Sequence, residues 1–152
     1  EQGWDHARIE KLLYKQSGLL GVSGISADMR TLHQSGSESA RFAIDLFAHR
    51  VVREAGAMTA CLQGLDVIAF SGGIGEHDAA LRQQVCAQLG WLGVQVDDAL
   101  NLAATGDACR AIHTADSATE VWVIPTDEGR VAARQALQLT AQPQGMPTGL
   151  RK

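Results

Sequence analysis

Two short segments hold the residue types from which chemistry could be built. Ser71-Gly72-Gly73-Ile74-Gly75-Glu76 sets three glycines directly after an apolar run, and Pro125-Thr126-Asp127-Glu128 sets two carboxylates after another. Glycines let backbone approach a ligand with no Cβ in the way, and a helix starting just beyond them offers unpaired N–H groups to an anion. A carboxylate such as Glu128 could hold a hydrated Mg²⁺ that bridges nucleotide phosphates. Each segment also has a plainer reading. The glycines can simply make a tight strand-to-helix turn, and a carboxylate in a first helical turn is favoured by the helix dipole; Asp127 could serve either role. Asp28 and Arg30 are equally double-edged. They can form an exposed ion pair worth well under about 1 kcal/mol, or they can grip a nucleoside, the carboxylate accepting ribose hydroxyls and the guanidinium stacking on a base.

Two familiar glycine motifs can be tested against residues 71–77. A Walker A loop requires Lys and then Ser or Thr after its last glycine, whereas Glu76 and His77 follow here. The dinucleotide fingerprint fits slightly better, since Gly73-Ile74-Gly75 supplies its first two glycines and Asp97 or Asp98 follows some 20 residues on. Asp78, however, stands where the third glycine belongs. Of the histidines, His77 adjoins the glycines; His6 and His33 fall in surface or loop positions, and His49 and His113 within predicted elements.

The elements that must position these residues follow from periodicity. Residues 66–71 and 121–124 are short apolar runs rich in strand formers, each followed by a turn and a helical pattern. If the two strands are parallel in one sheet, with the first in mid-sheet, both turns lie at the carboxyl edge, where open α/β sheets bind ligands. Asp78 is placed to cap a helix bearing Leu81, Val85 and Leu89, and Thr126 to cap a final helix through Val131, Ala136 and Leu139. A long helix begins near Ser37, with Ser35 and Glu38 at capping-box spacing; Ala40, Ala43, Ile44, Phe47, Val51, Ala55 and Met58 lie on its apolar face, and Gly64 ends it. A short helix over 5–17, capped by Asp5 and carrying Ile9, Leu12 and Leu13, precedes a glycine-rich loop over 18–28. Residues 91–96 and 110–114 are weaker strand candidates, and 142–152, rich in Pro and Gly, read as a flexible tail.

The 152 residues, 45% hydrophobic and 20% charged, suit one ordinary globular domain. A net charge of −4 without long single-sign runs argues against nucleic acid or an anionic membrane as partner. Cys61, Cys86 and Cys109 form no Cys-x-x-Cys pair and are expected in the core. The first residues lack a basic start and an apolar run, so a cytoplasmic home is expected.

Four ordered segments resemble the acetate kinases: Lys15-Gln-Ser-Gly-Leu-Leu-Gly-Val-Ser-Gly-Ile-Ser-Ala-Asp-Met-Arg30, Gly64-Leu-Asp-Val-Ile-Ala-Phe-Ser-Gly-Gly-Ile-Gly-Glu76, Ile112-His-Thr-Ala-Asp-Ser117 and Val123-Ile-Pro-Thr-Asp-Glu128. The resemblance implies an α/β, ribonuclease H-like domain of the acetate and sugar kinase, Hsc70 and actin superfamily. Residues 1–141 would be the C-terminal part of its nucleotide-binding second domain. It further implies that Asp28 contacts ribose, that Met29 and Arg30 lie at the adenine, that Gly73, Ile74, Gly75, Glu76 and His77 border adenosine and phosphate, and that Glu128 belongs to the Mg²⁺ site. The family reaction is reversible phosphoryl transfer between ATP and acetate, or propionate, giving ADP and the acyl phosphate, in an enzyme that forms homodimers. The family's Asn-x-Gly-Ser-Ser-Ser-type phosphate loop and its catalytic arginines, histidines and aspartate have no counterpart here, so this chain alone is expected to be inactive. His77 and Asp127 stand where the family often has Asn.

Overall fold

The parallel pairing required by two strand-turn-helix units is present. In the computed structural model, which describes residues 3–141 and gives only the helical backbone of Glu128 and Ala141, strand β1 (Val67–Phe70) pairs with β3 (Glu120–Val123) in parallel. The short β2 (Arg110–Ala111) runs antiparallel on the other side of β3, giving the order β1-β3-β2. The central strand is therefore β3, and β1, expected in mid-sheet, is an edge strand. Alternation sends Ile68, Phe70, Val121 and Val123 to one face and Val67, Ala69, Glu120 and Trp122 to the other. The first face meets the core, whereas Val67 is 47% exposed on the second.

Helices cover that first face. The long helix α4 (Glu38–Leu62) and α6 (Ala79–Gln88) pack together, and their Ala48, Leu81, Val85 and Cys86 join Leu89, Ile112, Val121 and Val123 in one apolar cluster. Ser37, not Ser35, caps α4 by accepting from Ala40 N, and Gln63, one residue before the expected Gly64, closes it in a left-handed conformation. Met58, placed by spacing on the buried stripe, is exposed, whereas its neighbour Thr59 is buried. Asp78 caps α6 as expected, accepting from Leu81 N at 2.9 Å.

Several expectations change. Helix α1 (His6–Lys11), capped by Asp5, passes into a wider π turn over Leu12–Gln16, and Ile9 and Leu13 remain exposed. The expected loop over 18–28 contains a helix, α2 (Gly18–Ser23), and Asp28 is no loop residue but the N-cap of α3 (Met29–Ser35); both helices lie against α4. Their glycine and serine content masked a helical pattern only one or two turns long. The glycine turn after β1 is itself a helix, α5 (Gly72–His77). Residues 91–96 form no strand: a 3₁₀ turn over Gly90–Leu92 leads to a single bridge between Val96 and His113, then to α7 (Asp98–Ala103), capped by Asp97. A capping Asp97 away from any strand end removes the acidic residue that the dinucleotide fingerprint needs. Cys86 is buried, its thiol pushed up to about 12 by desolvation, but Cys61 and Cys109 are exposed rather than in the core. Helix α8 (Glu128–Ala141) completes the described chain, with Val131 and Leu139 exposed; the expected tail over 142–152 lies outside the described residues. Among the described residues no helix is long and apolar enough to cross a membrane.

Candidate functional site

The two corners at the carboxyl ends of β1 and β3 meet through one side chain. Ile124 N donates to Phe70 O at 2.8 Å, extending the parallel ladder one step past β3, and the chains then diverge. Across the gap, Glu76 Oε1 accepts from Thr126 N and Thr126 Oγ1, both at 2.9 Å, and from Gly72 N at 2.7 Å. Gly72 makes this possible by taking φ +72°, a left-handed conformation that directs the following chain into α5 and brings Glu76 back to the Gly72 N–H. Those three donors, Thr126 foremost, hold the Glu76 carboxyl below its ordinary range. Thr126 was expected to cap the last helix. It serves the corner instead, and Asp127 Oδ1 takes the capping role by accepting from Arg130 N at 3.0 Å.

Behind α5 stands a residue that sequence reasoning passed over. Arg82, on α6, is 1% exposed and faces no carboxylate within ion-pairing distance among the described residues. Its Nη1 donates to Gly75 O and Glu76 O at 2.9 Å each, Nε to Asn101 Oδ1 at 2.8 Å and Nη2 to Asn101 O at 2.7 Å. Asn101 Nδ2 in turn donates to Ala79 O. Burial lowers the guanidinium's pKa below its ordinary value, while Asp78 opposes that shift. A buried charge is tolerated only when its donors are satisfied, and here they are used on the last carbonyls of α5. The signal in the sequence was an arginine at the centre of an otherwise apolar helical face, between Leu81 and Val85.

In front of α5 lies a cavity of about 610 Å³ lined by Asp28, Met29, Arg30 and His33 from the α3 side and by Gly73, Ile74 and His77 from α5. Two segments about 40 positions apart in sequence thus share one wall-to-wall space. Asp28 Oδ1 accepts from Arg30 N at 2.8 Å, and Oδ2 from Arg30 Nη2 at 2.8 Å, an arrangement that lowers the Asp28 pKa to about 2. The carboxylate therefore stays an acceptor at any physiological pH, with lone pairs to spare beyond those Arg30 takes. The Arg30 side chain is 85% exposed, so one face of its guanidinium is open to a planar ring. Of the sequence-predicted binding residues, Asp28, Met29, Arg30, Gly73, Ile74 and His77 border the cavity, whereas Gly75 and Glu76 do not. Gly75 packs on Phe70, and Glu76 faces the β3 corner. Glu128 opens α8 two residues beyond Thr126, and among the described residues no group of three potential metal ligands is gathered. His33, expected in a surface or loop position, is exposed but lies within α3 and also lines the cavity, with Nε2 at 2.8 Å from Asp78 Oδ2. Its helical relation to Met29, one turn earlier, would have shown this had Asp28 been recognised as a cap.

Against proteins of known family, the sequence profile of the Acetokinase family matches residues 1–134. An acetate kinase of Rhodopseudomonas palustris is 48% identical over 139 residues, which are 91% of this chain and 34% of that protein. The structure of Porphyromonas gingivalis acetate kinase superposes with a TM-score of 0.79 at 33% identity, over 91% of this chain and 35% of that one. A propionate kinase of Francisella tularensis does so with a TM-score of 0.71 at 35% identity, over 83% of this chain and 32% of that one. This chain spans about one third of the length of the relatives it matches. Its mixed α/β fold is that of the acetate kinases, and the chain belongs to the acetokinase family.

Proposed function

We propose that this chain is the C-terminal part of the nucleotide-binding second domain of an acetate kinase, residues 1–141 forming that body, and that the whole enzyme moves the γ-phosphoryl of ATP reversibly to acetate or propionate. The observation that carries this reading is the cavity itself. An ionised carboxylate, an open guanidinium and a glycine-started helix converge on a space suited to a nucleoside. Asp28 accepts the ribose hydroxyls, Arg30 lies along the base, and Gly73, Ile74 and His77 form the opposite wall. Phosphoryl transfer asks mainly for alignment and charge stabilisation, so a rigid nucleoside seat contributes by aiming the phosphates at the second corner. There Glu128 would hold Mg²⁺, which usually takes one or two carboxylates and fills its other positions with water and phosphate oxygens. A bound Mg²⁺ supplies charge neutralisation at the β- and γ-phosphates. The Glu76–Thr126 contact keeps that corner at a fixed distance from α5.

The uncovered second face of the sheet supports the reading of a partial domain. A parallel strand pair is ordinarily buried on both faces, yet Val67 is open to solvent, as are Leu13 and Tyr14 of the first helical segment and Leu137 and Leu139 of α8. In the whole enzyme these surfaces meet the remaining chain or the second subunit of a homodimer. Calorimetric titration tests the nucleotide seat. Saturable heat with Mg·ADP and none with NAD is expected, and the reverse would return the chain to a dinucleotide binder. A hydroxamate assay for acetyl phosphate should be blank, because acyl-site groups are not among these residues; turnover would show that assignment to be wrong.

A further inference from the structure

The two walls of the cavity are fixed by unequal means. The α5 wall is held from behind by Arg82, through Gly75 O and Glu76 O, and from the side by the Glu76 contacts with Thr126. The α3 wall has no such support. Its buried Met29 and Leu32 rest on the core, but Asp28 and Arg30 bond to each other and within their own segment. Among the described residues, one side-chain hydrogen bond joins α3 to the α5–α6 corner: His33 Nε2 to Asp78 Oδ2 at 2.8 Å, with the His33 side chain 36% and the Asp78 side chain 13% exposed. A carboxylate only accepts, so His33 must carry the proton on Nε2. Asp78 is itself immobilised, because its Oδ1 caps α6 through Leu81 N at 2.9 Å. His33 thus ties the α3 wall to a fixed post, one helical turn from the pair that would grip the nucleoside.

We propose that His33 is a positioning residue for the nucleotide: its bond to Asp78 sets the width of the cavity by holding α3 at the distance at which Asp28 and Arg30 reach a nucleoside seated against Gly73 and Ile74. The inference rests on the nucleotide-seat reading above. Without the bond, α3 keeps its core contacts and its cap, so the fold survives, but the binding-competent spacing becomes one of several and apparent affinity falls by the fraction of time it is populated. A direct contact between His33 and the ligand would give a different signature, since it would leave the nucleotide-free protein unchanged.

The test uses the chain as it stands, with His33→Leu to break the bond and His33→Gln to restore a donor near the Nε2 position. Two quantities are read: amide hydrogen exchange across residues 29–35 without ligand, and Mg·ADP affinity. His33→Leu is expected to speed exchange in α3 but not in α6, and to weaken Mg·ADP binding roughly tenfold, the value of one charge-assisted hydrogen bond. His33→Gln should recover most of both. Unchanged α3 exchange in His33→Leu overturns the positioning role, whether or not affinity falls. Faster exchange with unchanged affinity overturns the link between cavity width and binding. A wild-type chain that shows no Mg·ADP binding defeats the nucleotide-seat reading and with it the role assigned to His33 in binding, while the exchange data still decide whether the bond holds α3.

Discussion

Helices α4 and α6 and helices α1 and α8 were legible in the sequence by the same reasoning, yet they ended in opposite environments. Ala48 and Val85 are buried at the centre of the molecule, while Ile9 on α1 and Leu139 on α8 stand in solvent. Periodicity states that a helix has an apolar face; it does not state what covers that face. In the first pair the cover lies within the chain, where α4, α6 and the strand residues Ile68, Phe70, Val121 and Val123 close one cluster. In the second pair no cover lies among the described residues. That is the pattern expected of a segment one third as long as its relatives.

This contrast can be broken or sharpened by mutation. The largest effect is expected at Arg82. Arg82→Met fills the space but removes the donors that Arg82 supplies to Gly75 O, Glu76 O and Asn101 Oδ1, and should destabilise the chain by about 4 kcal/mol, read from the denaturant midpoint. A loss near zero would mean that α5 is held in place by packing alone. Next is Ile112→Ala at the fully buried centre, where a cavity should cost about 3 kcal/mol.

A smaller and pH-dependent loss is expected for Glu76→Gln. The folded pKa of Glu76 lies below its ordinary 4.5, so the contribution of the carboxylate is complete above that value and drains away as pH falls beneath it toward the folded value. Wild type and variant should therefore differ in melting temperature at neutral pH and converge in acid. Parallel profiles would show that the charge on Glu76 does not bind the two corners. The smallest effect belongs to the outer helices. Leu139→Ser should change the stability of this chain by no more than about 0.5 kcal/mol, and a core-sized loss would show that α8 is covered after all.

Legibility followed the length of the pattern. The α4 helix has several turns of signal, and β1 and β3 are bounded by Gly and Pro, so their positions were clear from sequence. The edge position of β1 was not, because an apolar run shows burial potential but not neighbours. The helices α2 and α3 are six and seven residues long, too short for a period to emerge from a segment rich in Gly and Ser. Missing α3 concealed His33, and treating Arg30 and Asp28 as a loop pair hid that Asp28 also caps a helix. Asp127 took the cap expected of Thr126 because the competing acceptor for Thr126, Glu76 Oε1, is 50 residues away in sequence and unknowable from local spacing. The joining of the two corners, by contrast, followed from parallel topology alone.

The most direct test of the nucleotide seat is an amide spectrum of the isotopically labelled chain titrated with Mg·ADP. Saturable shifts are expected at residues 27–30 and 73–77, with a further set at 126–128 that requires the metal. Shifts confined to the exposed faces of α1 and α8, or to the opposite end of α4, would contradict a nucleoside held between α3 and α5.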